Sequence, residues 1–272
     1  MSRGFSQLLK ASEYDQRFSY YLYIPDRHAP GAGETYPLLV LVHSTGREAH
    51  AYVDAFKSFA DDTGAAILAP LFPTGIIDKD DIHNYKFIKF HDIRFDRVLL
   101  AMIDEAAERY PVAGERFLLH GFSGGGQFAH RFYYLHPERL LGVSIGAPGR
   151  VTYLDDSALW YNGIRDFAEQ FGATLEREKL RRVPVHMVVG SEDKETGWID
   201  SRSDQSWLEG SDARGRTRVE RLRALREDFE REGIATRYDE VPGVAHEGFK
   251  VLHTVKRFFA DILQRKGDGE CR

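Results

Sequence analysis

The chain has 272 residues, 42% of them hydrophobic, and a net charge of −5 at pH 7. This length favours one large α/β domain with a full core over two small domains. Acidic and basic residues are mixed along the chain, and the absence of a basic block gives no indication of nucleic-acid binding. The one cysteine, Cys271, cannot form an internal disulfide, so nothing indicates an oxidising compartment.

The N-terminal segment and the apolar runs argue against export and membrane insertion. Residues 1–15 contain no apolar core of the length that a signal peptide needs. No apolar run approaches the roughly 18 residues that span a membrane. The sequence therefore predicts a cytoplasmic protein without a membrane span, and a processed chain that had lost its signal peptide would have the same sequence.

Apolar runs and helical spacings alternate along the chain. The short runs predict strands over residues 18–24, 38–42, 65–69, 117–119, 140–145, 183–189 and 236–241. Apolar residues at helical spacing predict helices around residues 52–60, 95–106, 128–135, 219–229 and 249–263. Such alternation is typical of a mostly parallel sheet with helices on both faces. We therefore predict an α/β fold in a single domain over residues 1–272.

Two segments interrupt this alternation. Residues 147–182 and 194–216 are irregular in pattern, and we predict that they are cap or lid insertions, one or both of them over the active site. The first contains Trp160 and Tyr161, which are candidates for contact with a substrate. Plain packing of the two aromatic side chains is the alternative. A long loop is predicted over residues 71–91.

The segment 116–130 predicts a nucleophile. A short apolar strand is followed by the pattern Gly-x-Ser-x-Gly, with Ser123 between Gly121 and Gly125, and then by a helix. A serine on such a sharp turn has a strained backbone, and its neighbours approach closely enough to require residues without side chains. The N-terminus of the following helix favours a developing negative charge at the same place.

The same pattern occurs a second time around Ser144. An apolar run precedes this serine, but Ala147, Pro148 and Gly149 follow it and do not begin a helix. We therefore predict that Ser144 is an ordinary residue of a buried strand.

A serine hydroxyl needs a base to take its proton, and the base needs an acid that orients it. His246 stands in the turn after the last predicted strand, and Asp193 stands in the turn after the strand before it. Together with Ser123 they give the order serine, acid, histidine. Glu192 and Asp200 lie close enough in sequence to be alternatives for the acid.

These three turns resemble those of the α/β-hydrolase superfamily over nearly the whole chain. The elbow Gly-Phe-Ser-Gly-Gly, the turn Gly-Ser-Glu-Asp and the turn Pro-Gly-x-Ala-His all match, and the resemblance places the acid at Asp193, third after Gly190. Residues 17–25 and 91–126 are similar, more loosely, to the group of esterases and polyester depolymerases that includes feruloyl esterases. Those relatives are often secreted and disulfide-bonded, and this sequence has neither feature.

An oxyanion hole needs two aligned N–H donors. The resemblance implies that Gly124 supplies one and that the loop after the second predicted strand supplies the other. That loop often reads His-Gly-x-x in the superfamily and reads His-Ser-Thr-Gly here, so Ser44 or Thr45 is the predicted second donor. His43 and His120 end strands beside the site. For each of them, a role in supporting the site and a purely structural role are both open.

The sequence thus predicts a serine hydrolase that cleaves a carboxylic ester through an acyl-enzyme. It predicts no cofactor, and no His-x-x-x-His or Cys/His cluster indicates a metal. The expected partner is a small-molecule ester, and the oligomeric state is left open. A peptidase, thioesterase or lactonase would use the same residues. A non-catalytic ligand-binding protein on the same scaffold is the alternative of another class.

Overall fold

The computed structural model describes residues 7–25, 31, 33–197, 199, 209–210 and 212–270, with the backbone alone for Gln7 and for residues 266–270. Its strands are β1 (Gln7–Ala11), β2 (Ser19–Tyr23), β3 (Leu38–Val42), β4 (Ala66–Leu71), β5 (Lys89–Phe90), β6 (Ile93–Arg94), β7 (Phe117–Phe122), β8 (Leu140–Gly146), β9 (Val185–Gly190) and β10 (Thr236–Val241). Its α-helices are α1 (Ala49–Thr63), α2 (Phe95–Arg109), α3 (Gly124–Leu135), α4 (Phe167–Phe171), α5 (Arg177–Leu180), α6 (Arg218–Arg231) and α7 (Leu252–Glu270). Short 3₁₀-helices span Asn84–Phe87, Pro137–Arg139 and Gly248–Val251.

One eight-stranded sheet has the order β1-β2-β4-β3-β7-β8-β9-β10. Every pair of neighbours from β4 to β10 is parallel, whereas β1 and β2 join one edge in antiparallel pairing. Strand β3 is buried along its whole length, as its uninterrupted apolar sequence requires of a strand covered on both faces. The sheet confirms the expected α/β class.

Right-handed crossovers decide which face each helix covers. The chain moves from β3 to β4 in one direction and from β4 through β7, β8, β9 and β10 in the other, so α1 lies on one face and α2, α3 and α6 lie on the opposite face. The rings of Phe56 and Phe259, 6.4 Å apart, join α1 to α7. Phe72 contacts Phe95 of α2 and Phe128 of α3 on the opposite face. None of the helices, over the described residues, has the length and apolarity to cross a membrane.

The carboxyl ends of the parallel strands all lie on the same side of the sheet, across the strand direction. The turns after β3, β7, β9 and β10 therefore lie side by side, as is usual for ligand sites in open α/β sheets. These turns carry the side chains that the sequence singles out for catalysis.

The two predicted insertions are described to different extents. Residues 147–182 contain the short helices α4 and α5. In the segment 194–216, residues 198, 200–208 and 211 lie outside the described part, and this includes Asp200. The role of either segment as a lid stays a prediction.

Candidate active site

Ser123 stands at a strained elbow between β7 and α3. Its φ of 56° and ψ of −112° lie where residues other than glycine rarely occur, at a cost of about 1–3 kcal/mol. A Cβ on Gly121 would come within 2.2 Å of the carbonyl oxygen of Gly125, and one on Gly125 within 2.3 Å of that of Val42. The two flanking glycines are therefore required by close approach of the backbone. The Ser123 N–H donates to the Gly146 carbonyl at 2.8 Å, which holds the elbow against β8.

A continuous hydrogen-bond chain links the serine, the histidine and the acid. Nε2 of His246 lies 2.9 Å from Oγ of Ser123, and Nδ1 lies 2.6 Å from Oδ2 of Asp193. Because an ionised carboxylate only accepts, Nδ1–H donates to Asp193 and Nε2 accepts from the hydroxyl. The imidazole also packs on the ring of Phe122, with 5.0 Å between centroids. The structure thus brings together three residues that are far apart in sequence.

The second carboxylate oxygen of Asp193 accepts from Arg218. The Nη1 to Oδ1 distance is 3.0 Å, and both side chains are buried. Arg218 is the first residue of α6, where the side chains of Thr217 and Glu220 cap the helix reciprocally. The fixed start of α6 therefore fixes the guanidinium that holds Asp193. Arg218 is not predicted from the sequence, because it follows no strand and belongs to no catalytic motif.

The alternative acids are placed differently. Glu192 is exposed, and its carboxylate lies 3.0 Å from Nζ of Lys194. It makes no contact with His246 among the described residues. Asp200 lies outside the described residues. Of the predicted acids that the structure describes, Asp193 is the one that reaches the histidine.

Gly124, the first residue of α3, lies directly beside the side chains of Tyr85, Thr45 and Lys86. A Cβ on Gly124 would come within 2.4 Å of the Tyr85 hydroxyl and 3.0 Å of Oγ1 of Thr45. Among the described residues, the N–H groups of Gly124, Ser44 and Thr45 donate no hydrogen bond. Residues with unused N–H donors thus border the same cavity as Ser123 or follow it directly, as a hole for an oxyanion requires.

His43 and Arg47 hold the loop after β3 by its carbonyls. Nδ1 of His43 donates to the Ser44 oxygen at 2.8 Å, and Nη1 of Arg47 donates to the Thr45 oxygen at 2.6 Å. Nε2 of His43 accepts from the N–H of Phe72 at 3.0 Å. Burial lowers the pKa of His43 to about 3, so the imidazole stays neutral and keeps both contacts. His43 therefore supports the loop that carries the predicted oxyanion donors Ser44 and Thr45.

Solved structures with the same architecture are available for comparison. A poly(3-hydroxybutyrate) depolymerase from Bordetella parapertussis superposes with a TM-score of 0.74 at 21% identity, over 95% of this chain and 90% of that one. The poly(aspartic acid) hydrolase-1 from Sphingomonas sp. KT-1 has a TM-score of 0.70 at 20% identity, over 88% and 92%. An S-formylglutathione hydrolase from Agrobacterium tumefaciens has a TM-score of 0.64 at 17% identity, over 95% and 94%.

The chain has the α/β-hydrolase fold. These similarities confirm the fold that the sequence resemblance implies, and at such identities they establish the fold alone. No protein-family model matches the sequence, and no curated protein matches it significantly.

Two cavities flank the serine of this α/β-hydrolase fold. One of about 350 Å³ has Ser123 and His246 in its wall together with Lys86, Arg150 and Arg218, and we name it the basic cavity. The other, of about 370 Å³, shares Ser123 and His246 and is lined by the rings of Tyr52, Phe122 and Phe249, and we name it the aromatic cavity. A larger cleft, of about 750 Å³, lies around α6 and has none of the predicted catalytic residues in its wall. Nowhere in the described chain do three histidine, cysteine or acidic side chains form a group that would hold a metal.

Trp160 and Tyr161 pack against other aromatic side chains. The indole lies edge-on to Phe171 at 4.7 Å, and the phenol stacks on Phe87 at 4.0 Å. Neither residue lines the basic or the aromatic cavity. Their role as substrate contacts stays a prediction.

Ser144, at the second Gly-x-Ser-x-Gly pattern, lies inside β8 and is fully buried. Its Oγ lies 3.0 Å from Nδ1 of His120 and 2.9 Å from Nδ1 of His186, and Nε2 of His186 lies 3.0 Å from Asp239. We name these four residues the polar row. Since Asp239 only accepts, His186 carries its proton on Nε2, Ser144 donates to His186, and His120 donates to Ser144. The polar row crosses β7 to β10 and gives His120 a structural contact.

Proposed function

We propose that this chain is a serine hydrolase that cleaves a carboxylic ester through an acyl-enzyme. One observation carries the proposal: the unbroken hydrogen-bond chain from Ser123 through His246 to Asp193 at a strained elbow. An oriented base within hydrogen-bonding distance is what turns a serine hydroxyl into a nucleophile.

In the first half of the reaction, Oγ of Ser123 attacks the ester carbonyl while Nε2 of His246 takes the hydroxyl proton. Asp193 holds Nδ1–H and stabilises the imidazolium. The carbonyl oxygen becomes an oxyanion, for which Gly124 and either Thr45 or Ser44 supply N–H donors. Losing one such donor costs about 3 kcal/mol in the transition state. His246 then gives its proton to the leaving alcohol.

In the second half, a water molecule replaces the alcohol. Nε2 of His246 takes a proton from this water, which attacks the acyl group on Ser123. Collapse of the second tetrahedral intermediate returns the proton to Ser123 and releases the carboxylic acid. The basic and aromatic cavities both border Ser123 and His246 and give room for the acyl and alcohol portions of a substrate.

The structural neighbours do not decide which class of acyl bond is cleaved. Their names point to poly(3-hydroxybutyrate), poly(aspartic acid) and S-formylglutathione as substrates of those proteins. A thioesterase, peptidase or lactonase would use the same three residues, because the nucleophile attacks any activated acyl group. An ester is the simplest substrate for this arrangement and is tested first.

The test compares Ser123→Ala with Ser144→Ala on p-nitrophenyl esters of increasing acyl length. We expect Ser123→Ala to lower kcat by about 10⁴-fold or more, because the nucleophile is removed. Ser144→Ala removes the other Gly-x-Ser-x-Gly hydroxyl and is expected to retain turnover. A fluorophosphonate should label the wild type and Ser144→Ala but not Ser123→Ala. Turnover by Ser123→Ala at the wild-type level would overturn the proposal.

A further inference from the structure

The two cavities beside Ser123 differ in charge. The described wall of the basic cavity contains the cationic side chains of Lys86, Arg150 and Arg218, and its one carboxylate belongs to the exposed residue Glu195. The wall of the aromatic cavity has two carboxylates and one lysine. A substrate that extends into both cavities therefore meets opposite excess charge in the two.

The cations of the basic cavity are shielded from water. Lys86, Arg150 and Arg218 are 2%, 5% and 6% exposed. Removing a cation from water costs several kcal/mol unless opposite charge or hydrogen bonds offset the cost. For Arg218 the offset comes from Asp193, at 3.0 Å. At such shielded positions an oxyanion gains strong, charge-assisted hydrogen bonds.

Arg131 fixes the two loops that carry Lys86 and Arg150. From α3, this buried side chain donates through Nη1 to the Lys86 carbonyl at 2.6 Å and through Nη2 to the Arg150 carbonyl at 3.4 Å. Its Nε donates to Oγ1 of Thr152 at 2.7 Å. Both loops are thus tied to the helix that begins directly after Ser123. The cations are held in place before any ligand arrives, which lowers the entropic cost of binding.

The wall of the basic cavity contains buried polar atoms without a hydrogen-bond partner among the described residues. Nε of Arg218 and Oε1 of Gln127 are buried and have no hydrogen-bond partner among the described residues. Gln127 itself is 7% exposed. Buried groups of this kind normally find a partner in protein, water or ligand. The guanidinium N–H of Arg218 is able to donate to an oxyanion, whereas Oε1 of Gln127 is an acceptor and would take a hydrogen bond from a donor.

The basic cavity is close to the reacting carbon. Cε of Lys86 lies 3.0 Å from the position of a Cβ built on Gly124, the residue after the nucleophile. An anionic group beside Lys86 is therefore a short chain away from an acyl carbon at Ser123.

We propose that the group entering the basic cavity carries a carboxylate, so that the preferred substrate is an ester with an anionic acyl or alcohol portion. The inference rests on the proposed function of Ser123. It assigns Lys86 and Arg150 to substrate selection and gives the basic cavity a specific ligand chemistry.

The experiment compares matched esters with and without a carboxylate. For the acyl side, mono-p-nitrophenyl adipate is compared with p-nitrophenyl hexanoate. For the alcohol side, 4-acetoxybenzoate is compared with its methyl ester. We expect kcat/KM for the anionic member of at least one pair to be higher by about tenfold or more, the effect of one charged hydrogen bond. Equal values in both pairs, or preference for the neutral esters, would overturn the proposal.

Variants locate the charge preference. Lys86→Met and Arg150→Met should bring the ratio of anionic to neutral kcat/KM close to one. Lys250→Met removes a cation from the wall of the aromatic cavity and should leave that ratio unchanged. A ratio that falls as much in Lys250→Met as in Lys86→Met would contradict the assignment to the basic cavity.

Ligand binding to the wild-type protein tests the preference for a carboxylate without variants and without turnover. Calorimetry should give a Kd for adipate that is lower than that for the neutral adipamide by about tenfold. Equal affinities would overturn the inference even if Lys86→Met or Arg150→Met failed to fold. Failure of the proposed function has a different result: neither neutral ester is hydrolysed, and fluorophosphonate does not label Ser123.

Discussion

Arg218 contributes a guanidinium to the carboxylate that orients His246. Arg218→Met leaves Asp193 buried with His246 as its remaining side-chain partner among the described residues, so the carboxylate is less firmly placed. Since a displacement of about 1 Å costs on the order of 100-fold in rate, we expect kcat for a neutral ester to fall by about that factor with little change in KM. Breaking a buried ion pair also lowers the free energy of unfolding, by about 3–5 kcal/mol.

Active-site titration distinguishes a role of Arg218 in positioning Asp193 from a role in folding alone. Active sites are titrated with fluorophosphonate, and kcat is expressed per titrated Ser123. A purely structural role for Arg218 would reduce the titratable fraction and leave kcat per site at the wild-type value. Arg218→Lys keeps the charge but loses the planar fork, and we expect it to restore part of kcat.

At the scale of single residues, the sequence predicts those side chains that stand in a recognisable local pattern, because the pattern reflects the turn that the residue needs. Ser123 needs flanking glycines because the backbone passes within contact distance, and Asp193 and His246 each follow a strand that ends at the same sheet edge. Lys86 and Arg218 have no such pattern. Lys86 lies in the single-turn 3₁₀-helix Asn84–Phe87 and Arg218 begins a helix, so their approach to the site depends on tertiary packing.

At the scale of elements, the strands buried on both faces were predictable, and the edge strand β1 (Gln7–Ala11) was not. This short strand has an exposed leucine and a half-buried lysine and contains no apolar run of strand length. It pairs antiparallel with β2, which itself was predicted. The loop predicted over residues 71–91 contains the 3₁₀-helix Asn84–Phe87, whose single turn is too short for helical spacing to appear in the sequence.

The polar row across β7 to β10 explains why the second Gly-x-Ser-x-Gly pattern belongs to a strand. Ser144→Ala would leave Nδ1 of both His120 and His186 buried without its hydroxyl partner. We expect the free energy of unfolding to fall by about 1–3 kcal/mol, the cost of unsatisfied buried groups. Urea unfolding measures this change, and turnover should stay at the wild-type level.

The matched control is Ser58→Ala, on the exposed face of α1. An exposed substitution should change the free energy of unfolding by no more than about 0.5 kcal/mol. If Ser144→Ala were as stable as Ser58→Ala, the polar row would contribute nothing to the sheet. If Ser144→Ala lost turnover while remaining folded, the assignment of a purely structural role to Ser144 would be wrong.

At the scale of the whole molecule, several histidines are buried in the neutral form. Burial lowers the pKa of His43 and of His120 to about 3, and lowers that of His130 well below its ordinary value. The pKa of His186 is lowered in the same direction, also by burial. His130 illustrates the cause, since Nδ1 donates to the Gly126 carbonyl and Nε2 accepts from the Thr152 N–H, leaving no site for a second proton.

This burial makes stability depend on pH with a definite sign. In the unfolded chain a histidine takes up a proton as the pH falls through about 6.5, whereas the folded chain keeps these imidazoles neutral to a much lower pH. The unfolded state therefore binds more protons, and the free energy of unfolding falls as the pH falls. Each buried histidine contributes about 1.4 kcal/mol per pH unit once its unfolded form is protonated, so His43, His120 and His130 together contribute about 4 kcal/mol per pH unit.

We accordingly expect the urea midpoint to fall steeply between pH 7.5 and pH 5, and His120→Asn tests the cause. Nε2 of His120 has no hydrogen-bond partner among the described residues, so the side-chain hydrogen bond that the substitution puts at risk is the one with Ser144. The variant has one titrating group fewer, and its slope of unfolding free energy against pH should be lower by about 1.4 kcal/mol per unit near pH 5. A wild-type midpoint that stayed constant over this range would mean that the buried histidines take up protons without unfolding. An unchanged slope in His120→Asn would assign the effect to other groups.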